Sequence, residues 1–204
     1  IEKSMNVTEA NKRKLKRVAV LGSGVMGSAL ACHFANAGLS VVLLDIVTPG
    51  LNDEELSRPS ARNRLVNDAL QKCVKSNPAS LYHKDLLRHI RTGNLEDDMA
   101  LITDCDWVVE AVIERLDIKK QVFEKVEQYR KPGTLVSSNT SGIPIEFMLE
   151  GRSEDFQQHF CATHFFNPPR YLRLLEIIPS SNTHDEVIKF FMHFGDLFLG
   201  KETV

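Results

Sequence analysis

The residue types best suited to acid–base chemistry lie in the last quarter of the chain. His164 is near the end of the apolar segment 160–166, and Glu176 lies inside the apolar segment 174–178. An imidazole exchanges a proton near neutral pH, and a carboxylate inside an apolar strand needs a partner. Glu176 orienting a His164 that takes up a proton follows the logic of a catalytic dyad. A purely structural His–Glu pair is equally consistent with these two residues.

A second polar segment, Ser138-Asn-Thr-Ser141, directly follows the apolar segment 135–137. The carboxyl ends of strands in a doubly wound sheet face the ligand crevice. The position therefore predicts that these hydroxyl and amide groups face a bound coenzyme. The alternative is that they cap a helix that begins near Ile143.

The third feature is the glycine motif Gly22-Ser-Gly24-Val-Met-Gly27, which lies between the apolar segment 18–21 and a predicted helix over 26–37. In this context Gly22 permits a tight turn, Gly24 lets the backbone approach a pyrophosphate, and Gly27 allows close helix–strand packing. The free N–H groups at the helix start, including those of Val25 and Met26, are suited to bind the phosphates.

Asp45 ends the second apolar segment, at the distance from the glycines that is typical of a ribose-binding acid. Its carboxylate can accept hydrogen bonds from the adenine ribose, and it would repel a 2′-phosphate. Residues 46–48 contain no cation, so the motif predicts NAD rather than NADP as the cofactor. The alternative is a glycine turn beside a solvated aspartate.

Carboxylates also occur at the end of the predicted strand 107–112. Glu110 and Glu114 are placed to meet the nicotinamide ribose or amide, and Lys119 lies one turn into the following predicted helix. Lys119 either reaches a phosphate or ribose or lies on a solvated helix face.

Strands and helices alternate along most of the chain, which predicts an α/β fold: a Rossmann-type, doubly wound, mostly parallel sheet. We expect a lead-in over residues 1–17 and one NAD-binding domain over 18–204. The charged segment of about 50–90 is longer than a simple crossover. It predicts a helical insertion after the second strand that projects from the sheet.

Composition excludes several function classes. The net charge of −2, from 25 basic and 27 acidic residues, argues against a nucleic-acid partner. No apolar run is long enough to predict a membrane span, and the first residues do not resemble a signal peptide. The four scattered cysteines predict reduced thiols in a cytoplasmic setting. No metal site is expected, because metal-ligand spacing is lacking among the other histidines: His33, His83, His89, His159, His184 and His193.

Taken together, these features resemble those of the 3-hydroxyacyl-CoA dehydrogenases of fatty-acid β-oxidation. They also occur along this chain in the order that is typical of that family. The segments 58–77 and 170–179 look most like the long bacterial multifunctional type. The matching pieces are Gly22-Ser-Gly-Val-Met-Gly27, Asp45, Val108-Val-Glu-Ala-Val-Ile-Glu114, Ser138-Asn-Thr-Ser141, His164-Phe-Phe-Asn-Pro-Pro169 and Leu175-Glu176.

The resemblance implies a role for each matching residue. His164 matches the catalytic base and Glu176 the acid that pairs with it. Ser141 matches the serine that binds the substrate's 3-oxygen beside the coenzyme, and Asn167 lies beside the substrate carbonyl or the nicotinamide. Glu114 and Lys119 match residues that contact NAD. The helical insertion matches an arm that helps to bind CoA, with Arg62, Arg64 or Lys72 as the residues that would meet its phosphates.

The resemblance also implies a missing part. The family continues with an all-helical domain that completes the substrate site and forms a dimer, and this chain stops short of it. We therefore expect the chain alone to bind NAD but to oxidise 3-hydroxyacyl-CoA poorly. Two rival functions stay open: a dehydrogenase of free small 3-hydroxy acids, which would use a lysine base, and a non-catalytic NAD-binding module.

Overall fold

The fold is built on one sheet of eight strands, seen in a computed structural model that describes residues 13–204. Most of the lead-in predicted for residues 1–17, including Lys12, lies outside the described residues. The strands are β1 (Arg17–Leu21), β2 (Ser40–Asp45), β3 (Ile90–Asn94), β4 (Trp107–Glu110), β5 (Leu135–Ser138), β6 (Phe160–Phe165), β7 (Leu174–Pro179) and β8 (Glu202–Thr203).

The strand order is β3-β2-β1-β4-β5-β6-β7-β8, and every neighbouring pair is parallel except β6 with β7. The winding reverses between β1 and β4, so a crevice opens at the carboxyl ends of these strands. The predicted Rossmann-type, mostly parallel α/β fold is confirmed.

Helices cover both faces of the sheet. They are α1 (Val25–Asn36), α2 (Asp53–Leu56), α3 (Pro59–Arg62), α4 (Arg64–Val74), α5 (Leu116–Tyr129), α6 (Ile145–Leu149), α7 (Glu154–Gln158) and α8 (Asp185–Leu197), with 3₁₀ turns at Lys84–His89 and Met99–Asp104.

Two hydrophobic cores lie on opposite faces of the sheet. Alternate residues of β1 divide between them: Val18 and Val20 pack into one core, with α1, α4 and α8, whereas Ala19 and Leu21 pack into the other, with α5, α6 and α7. Successive side chains of a strand point to opposite faces, so a strand that is apolar at every position is buried on both sides. This explains why β1 appears in the sequence as a continuous apolar run.

The predicted helical insertion is present, but it packs on the sheet instead of projecting from it. Val66 and Leu70 of α4 are buried in the core that contains α1. The segment then leads into β3, which pairs in parallel with β2. It is therefore the crossover between two neighbouring strands. We did not predict β3, because its sequence, Ile90-Arg-Thr-Gly-Asn94, is largely polar at the sheet edge.

The glycine motif follows β1 as predicted, and its geometry distinguishes its members. Gly22 has a φ of +100°, a left-handed conformation that favours glycine. A Cβ at Gly27 would lie 1.8 Å from the carbonyl oxygen of Gly22, whereas a Cβ at Gly24 would meet nothing within 4 Å. Gly27 is thus required by packing, while the space beside Gly24 is open.

This difference generates a stability prediction. We expect Gly27→Ala to lower the free energy of unfolding by roughly 3 kcal/mol, since the added methyl overpacks the loop. Gly24→Ala, the matched control, should change it by less than about 1 kcal/mol, because its Cβ enters open space. Urea denaturation of both variants measures the difference, and equal losses of stability would contradict it.

Candidate functional site

Three side chains lie in a continuous hydrogen-bonded array at the carboxyl edge of the sheet. The Nδ1 of His164 lies 2.7 Å from Oε2 of Glu176, and its Nε2 lies 3.2 Å from Oγ of Ser141. A carboxylate accepts hydrogen bonds, so Nδ1 carries the proton in this pairing and Nε2 presents its lone pair toward Ser141. The array is therefore arranged to accept a proton at Nε2.

The sheet register creates this array. His164 of β6 and Glu176 of β7 are directly opposite each other in the antiparallel pair. Ser141 reaches them from the loop after β5, the parallel neighbour of β6. His164 and Glu176 are only partly buried, with side-chain exposures of 18% and 39%, and Ser141 is exposed. A ligand can therefore reach the array from solvent.

Glu114 holds the loop that carries Ser141. Its Oε1 accepts a hydrogen bond of 2.5 Å from the Thr140 hydroxyl, and it accepts the backbone N–H groups of Ser141 and Gly142 at 3.1 and 3.2 Å. These contacts orient the Ser141 hydroxyl toward His164. The alternative role of this segment, helix capping, is met only in part. The Thr140 hydroxyl oxygen accepts a hydrogen bond of 3.2 Å from the N–H of Ile143, but α6 begins later, at Ile145, with Pro144 at its N-cap.

Lys119 lies at the centre of a buried ionic cluster. Its Nζ is 2.8 and 2.9 Å from the two carboxylate oxygens of Glu110 and 3.1 Å from Oε2 of Glu114. The side chains of Lys119 and Glu110 are completely buried, and Glu110 also accepts a 2.5 Å hydrogen bond from the Ser138 hydroxyl. These contacts compensate the buried charges, because an unpaired buried carboxylate is too costly. The NAD contact expected for Lys119 stays a prediction.

Burial and ion pairing act in opposite directions on the two carboxylates. Burial raises the pKa of Glu110, and the nearby charge of Lys119 opposes this effect. For Glu114 burial also acts to raise the pKa. The hydrogen bond from Thr140 and the charge of Lys119 together outweigh it and lower the pKa of Glu114 to about 2. Glu114 is therefore an anion throughout the neutral range.

The glycine motif and Asp45 also meet in the structure. Oδ2 of Asp45 accepts hydrogen bonds of 2.5 Å from both the backbone N–H and the hydroxyl of Ser23. Its Oδ1 accepts the N–H of Ile46 at 2.7 Å, which leaves a lone pair for an external donor. Gly24, at the N-cap of α1, has no side chain that could cap the helix, so the first N–H groups of α1 lack that partner.

Exposed apolar side chains follow three neighbouring strands near this loop; of these we predicted only Val25 as part of the site, through its N–H group and not its side chain. Val25 is 75% exposed, Ile46 is 52% exposed and Ile113 is 61% exposed, and they follow β1, β2 and β4. Their shared position at strand ends is the signal that sequence analysis passed over. An aromatic ring or another flat ligand group would bury this surface.

A cavity of about 460 Å³ lies between the start of α1, the end of α4 and the turn after β6. Asn167 and Lys72 both contribute to its lining. Of the other cations suggested for phosphate binding, Arg62 forms ion pairs with Asp97 and Glu96, and Arg64 lies 3.4 Å from Glu55. The structure thus distinguishes Lys72 from the two arginines.

Lys201 supports the turn that carries Asn167, and sequence analysis missed it. Its side chain is buried, and Nζ donates hydrogen bonds to the carbonyl oxygens of Pro169 and Leu172. Burial lowers the pKa of Lys201 to about 8. On the outer side of the turn, the Arg170 guanidinium donates to carbonyl oxygens of the segment that follows α4. The turn and the wall of the cavity are therefore tied together.

The spacing of the histidines along the sequence predicts no metal site, but the fold brings two of them close to each other and to a carboxylate. His159, His184 and Glu186 each place one ligand atom within 4.8 Å of the others. The two histidines are 25 residues apart, with α8 beginning just after the second. Glu186 lies in the first turn of α8, where the helix dipole favours a carboxylate, so the grouping also has a structural reason.

Among residues 13–204, no helix is both long and apolar enough to cross a membrane.

The low pKa of Glu114 makes stability depend on pH in a predictable direction. A carboxyl group whose pKa is depressed on folding stabilises the native state at higher pH, and this contribution is lost as the pH falls from 4.5 toward about 2. Glu114→Gln should therefore lose less stability than the parent chain between about pH 5 and about pH 3. Urea midpoints at both pH values measure this, with the exposed Glu146→Gln as control. Parallel losses in the parent chain and Glu114→Gln would contradict the expectation.

Comparison with known proteins places this site in a family. Residues 17–204 match the family described as 3-hydroxyacyl-CoA dehydrogenase, NAD binding domain. The chain is 48% identical over 198 residues to a probable 3-hydroxyacyl-CoA dehydrogenase of Bacillus subtilis, covering 94% of this chain and 25% of that protein. It is 40% identical over 193 residues to a putative fatty acid oxidation complex trifunctional enzyme of Rickettsia felis, covering 95% of this chain and 26% of that protein.

A solved structure agrees with these sequence relationships. The 3-hydroxyacyl-CoA dehydrogenase of Archaeoglobus fulgidus matches with a TM-score of 0.70 and 28% identity, covering 93% of this chain and 55% of that one. The chain spans about a quarter of the length of the two curated relatives. The cofactor is NAD, in agreement with the prediction from Asp45. By the match over nearly its whole length, the chain belongs to the NAD-binding domain family of the 3-hydroxyacyl-CoA dehydrogenases.

Proposed function

We propose that this chain is the coenzyme-binding domain of an enzyme that oxidises (S)-3-hydroxyacyl-CoA to 3-oxoacyl-CoA in fatty-acid β-oxidation. The observation that carries the proposal is the array of Ser141, His164 and Glu176. It lies at the carboxyl edge of the same parallel sheet that carries the glycine motif. A proton acceptor and a dinucleotide site on one edge are the two parts that oxidation of an alcohol by NAD requires.

The residues around the glycine motif fit the coenzyme. The open space beside Gly24 leaves room for a pyrophosphate, and the uncapped N-terminus of α1 offers it N–H donors. The free lone pair of Asp45 suits a ribose hydroxyl. Arg62 is held in ion pairs with acidic residues and does not supply a charge for a 2′-phosphate. When bound, NAD supplies the hydride acceptor.

The array then performs the proton step. His164 accepts the proton of the substrate's 3-hydroxyl at Nε2, while the Ser141 hydroxyl donates a hydrogen bond to the oxygen that becomes a carbonyl. Glu176 holds the ring through Nδ1 and stabilises its charged form. Glu114 is a positioning residue in this scheme, because it acts through the loop of Ser141.

The cavity suggests where the rest of the substrate lies. Asn167 and Lys72 line it together, so an acyl-CoA bound near Asn167 extends its phosphates toward the ammonium of Lys72. Lys72 is exposed, and such a charge adds affinity without burying an unpaired ion.

The setting of the whole protein is also part of the proposal. Relatives that are about four times longer support a parent protein with further domains, in which a helical domain completes the substrate site and forms a dimer. Free cysteines at all four positions agree with a reducing, cytoplasmic location. We propose that the chain alone binds NAD and turns over 3-hydroxyacyl-CoA slowly.

The proton step predicts the effect of removing the base. In a protein that includes the helical domain, His164→Ala should lower kcat for 3-hydroxybutyryl-CoA by at least roughly 100-fold, since no other group takes the proton. NADH formation followed by absorbance measures the rate. His184→Ala is the matched control, because this exposed histidine makes no capping bond. An unchanged rate in His164→Ala would favour a non-catalytic module, and activity on a free hydroxy acid alone would favour the rival dehydrogenase.

The coenzyme site predicts a separate result for the chain alone. Gly24→Ala should weaken NAD binding at least roughly tenfold, because its methyl enters the space that we assign to the pyrophosphate. Calorimetric titration measures the affinity, and the unfolding free energy of the same variant shows that the fold is retained. Parent-like affinity in a folded Gly24→Ala would place the pyrophosphate elsewhere.

A further inference from the structure

Two cysteines that are distant in sequence lie side by side beneath the cavity. Cys32 is in α1, Cys73 is in α4, and their Sγ atoms are 3.9 Å apart. Cys32 is completely buried, whereas Cys73 is half-buried and lines the cavity together with Lys72. The packing of α4 against α1 brings them together, and both are free thiols.

The surroundings of Cys73 favour its thiolate. Its sulfur lies 3.3 Å from the Ser80 hydroxyl, which in turn lies 3.1 Å from the hydroxyl of Ser76. The contacts of Cys73 with the Cys32 thiol and the Ser80 hydroxyl outweigh burial and lower the pKa of Cys73 to about 6. By contrast, burial raises the pKa of Cys105 to about 12. The thiolate is the reactive form of cysteine, so these two thiols differ strongly in reactivity.

From this arrangement we infer that Cys73 is a thiol that reacts with hydroperoxides and that Cys32 resolves it into a disulfide between α1 and α4. The Cys73 thiolate attacks one oxygen of hydrogen peroxide, the O–O bond breaks, and hydroxide leaves. The Cys32 thiol then attacks the resulting sulfenic sulfur, and water leaves as the S–S bond forms. Two thiols are oxidised, and the peroxide is reduced to two waters once the hydroxide takes up the released proton.

The bond would draw together two walls of the cavity. The sulfurs must approach from 3.9 Å to the S–S distance of about 2 Å, and α1 begins at the glycine motif. Oxidation therefore acts on the space that we assign to the coenzyme and CoA. This consequence rests on the proposed function, whereas formation of the disulfide does not.

The test is peroxide treatment of the reduced chain at neutral pH, with intact mass and peptide mapping as readouts. We expect a loss of about 2 Da, reversed by dithiothreitol, and a linked peptide pair that contains Cys32 and Cys73. This readout is independent of NAD binding and turnover. A linkage between other cysteines, or none after every thiol has reacted, would overturn the inference.

Single variants separate the attacking thiol from the resolving thiol. Cys32→Ala should stop at a sulfenic acid on Cys73, which dimedone traps, whereas Cys73→Ser should yield neither product. Cys105→Ser is the matched control and should react like the parent chain. Equal dimedone labelling of Cys73 and Cys105 would contradict the assignment, and mapping of the unmodified sequence decides the linkage even if a variant folds poorly.

Discussion

The amino group of Lys119 lies at a place that solvent does not reach, where the first turn of α5 packs beside the end of β4. A buried ammonium is tolerated only where carboxylates surround it, and here Glu110, at the end of β4, and Glu114, in the segment before α5, do so. Glu114 in turn binds the loop that presents Ser141 to His164. The geometry of the array of Ser141, His164 and Glu176 therefore depends on an ion cluster in which Lys119 and Glu110 are completely buried.

The same principle holds on the coenzyme side of the crevice. Asp45 binds the first turn of the glycine motif through Ser23, and Lys201 binds the turn that follows Asn167. In each case a charged side chain fixes a loop by accepting or donating backbone hydrogen bonds. Loops at the carboxyl edge of a sheet have few apolar contacts to hold them, so polar contacts supply the rigidity that a site needs.

Sequence analysis identified the elements whose signal is local. The glycine motif stands between a buried strand and a helix, and its function depends on backbone conformation that glycine alone adopts easily. The strand β3 was missed because an edge strand with Arg91 and Thr92 lacks the apolar run of the central strands. We therefore predicted that the helical insertion before β3 projects from the sheet. In the structure Val66 and Leu70 are buried against the sheet, and the insertion is the crossover from β2 to β3.

The sequence by itself determined the fold class, the choice of NAD and the identity of the residues able to exchange a proton, because each depends on residue type and local order. Only the tertiary structure decided which groups meet. In the structure Lys119 contacts Glu110, Lys72 lines the cavity whereas Arg62 does not, and Cys32 lies beside Cys73. The physical reason is that these contacts join residues from different elements, and their distances depend on how the helices pack on the sheet, which no local pattern records.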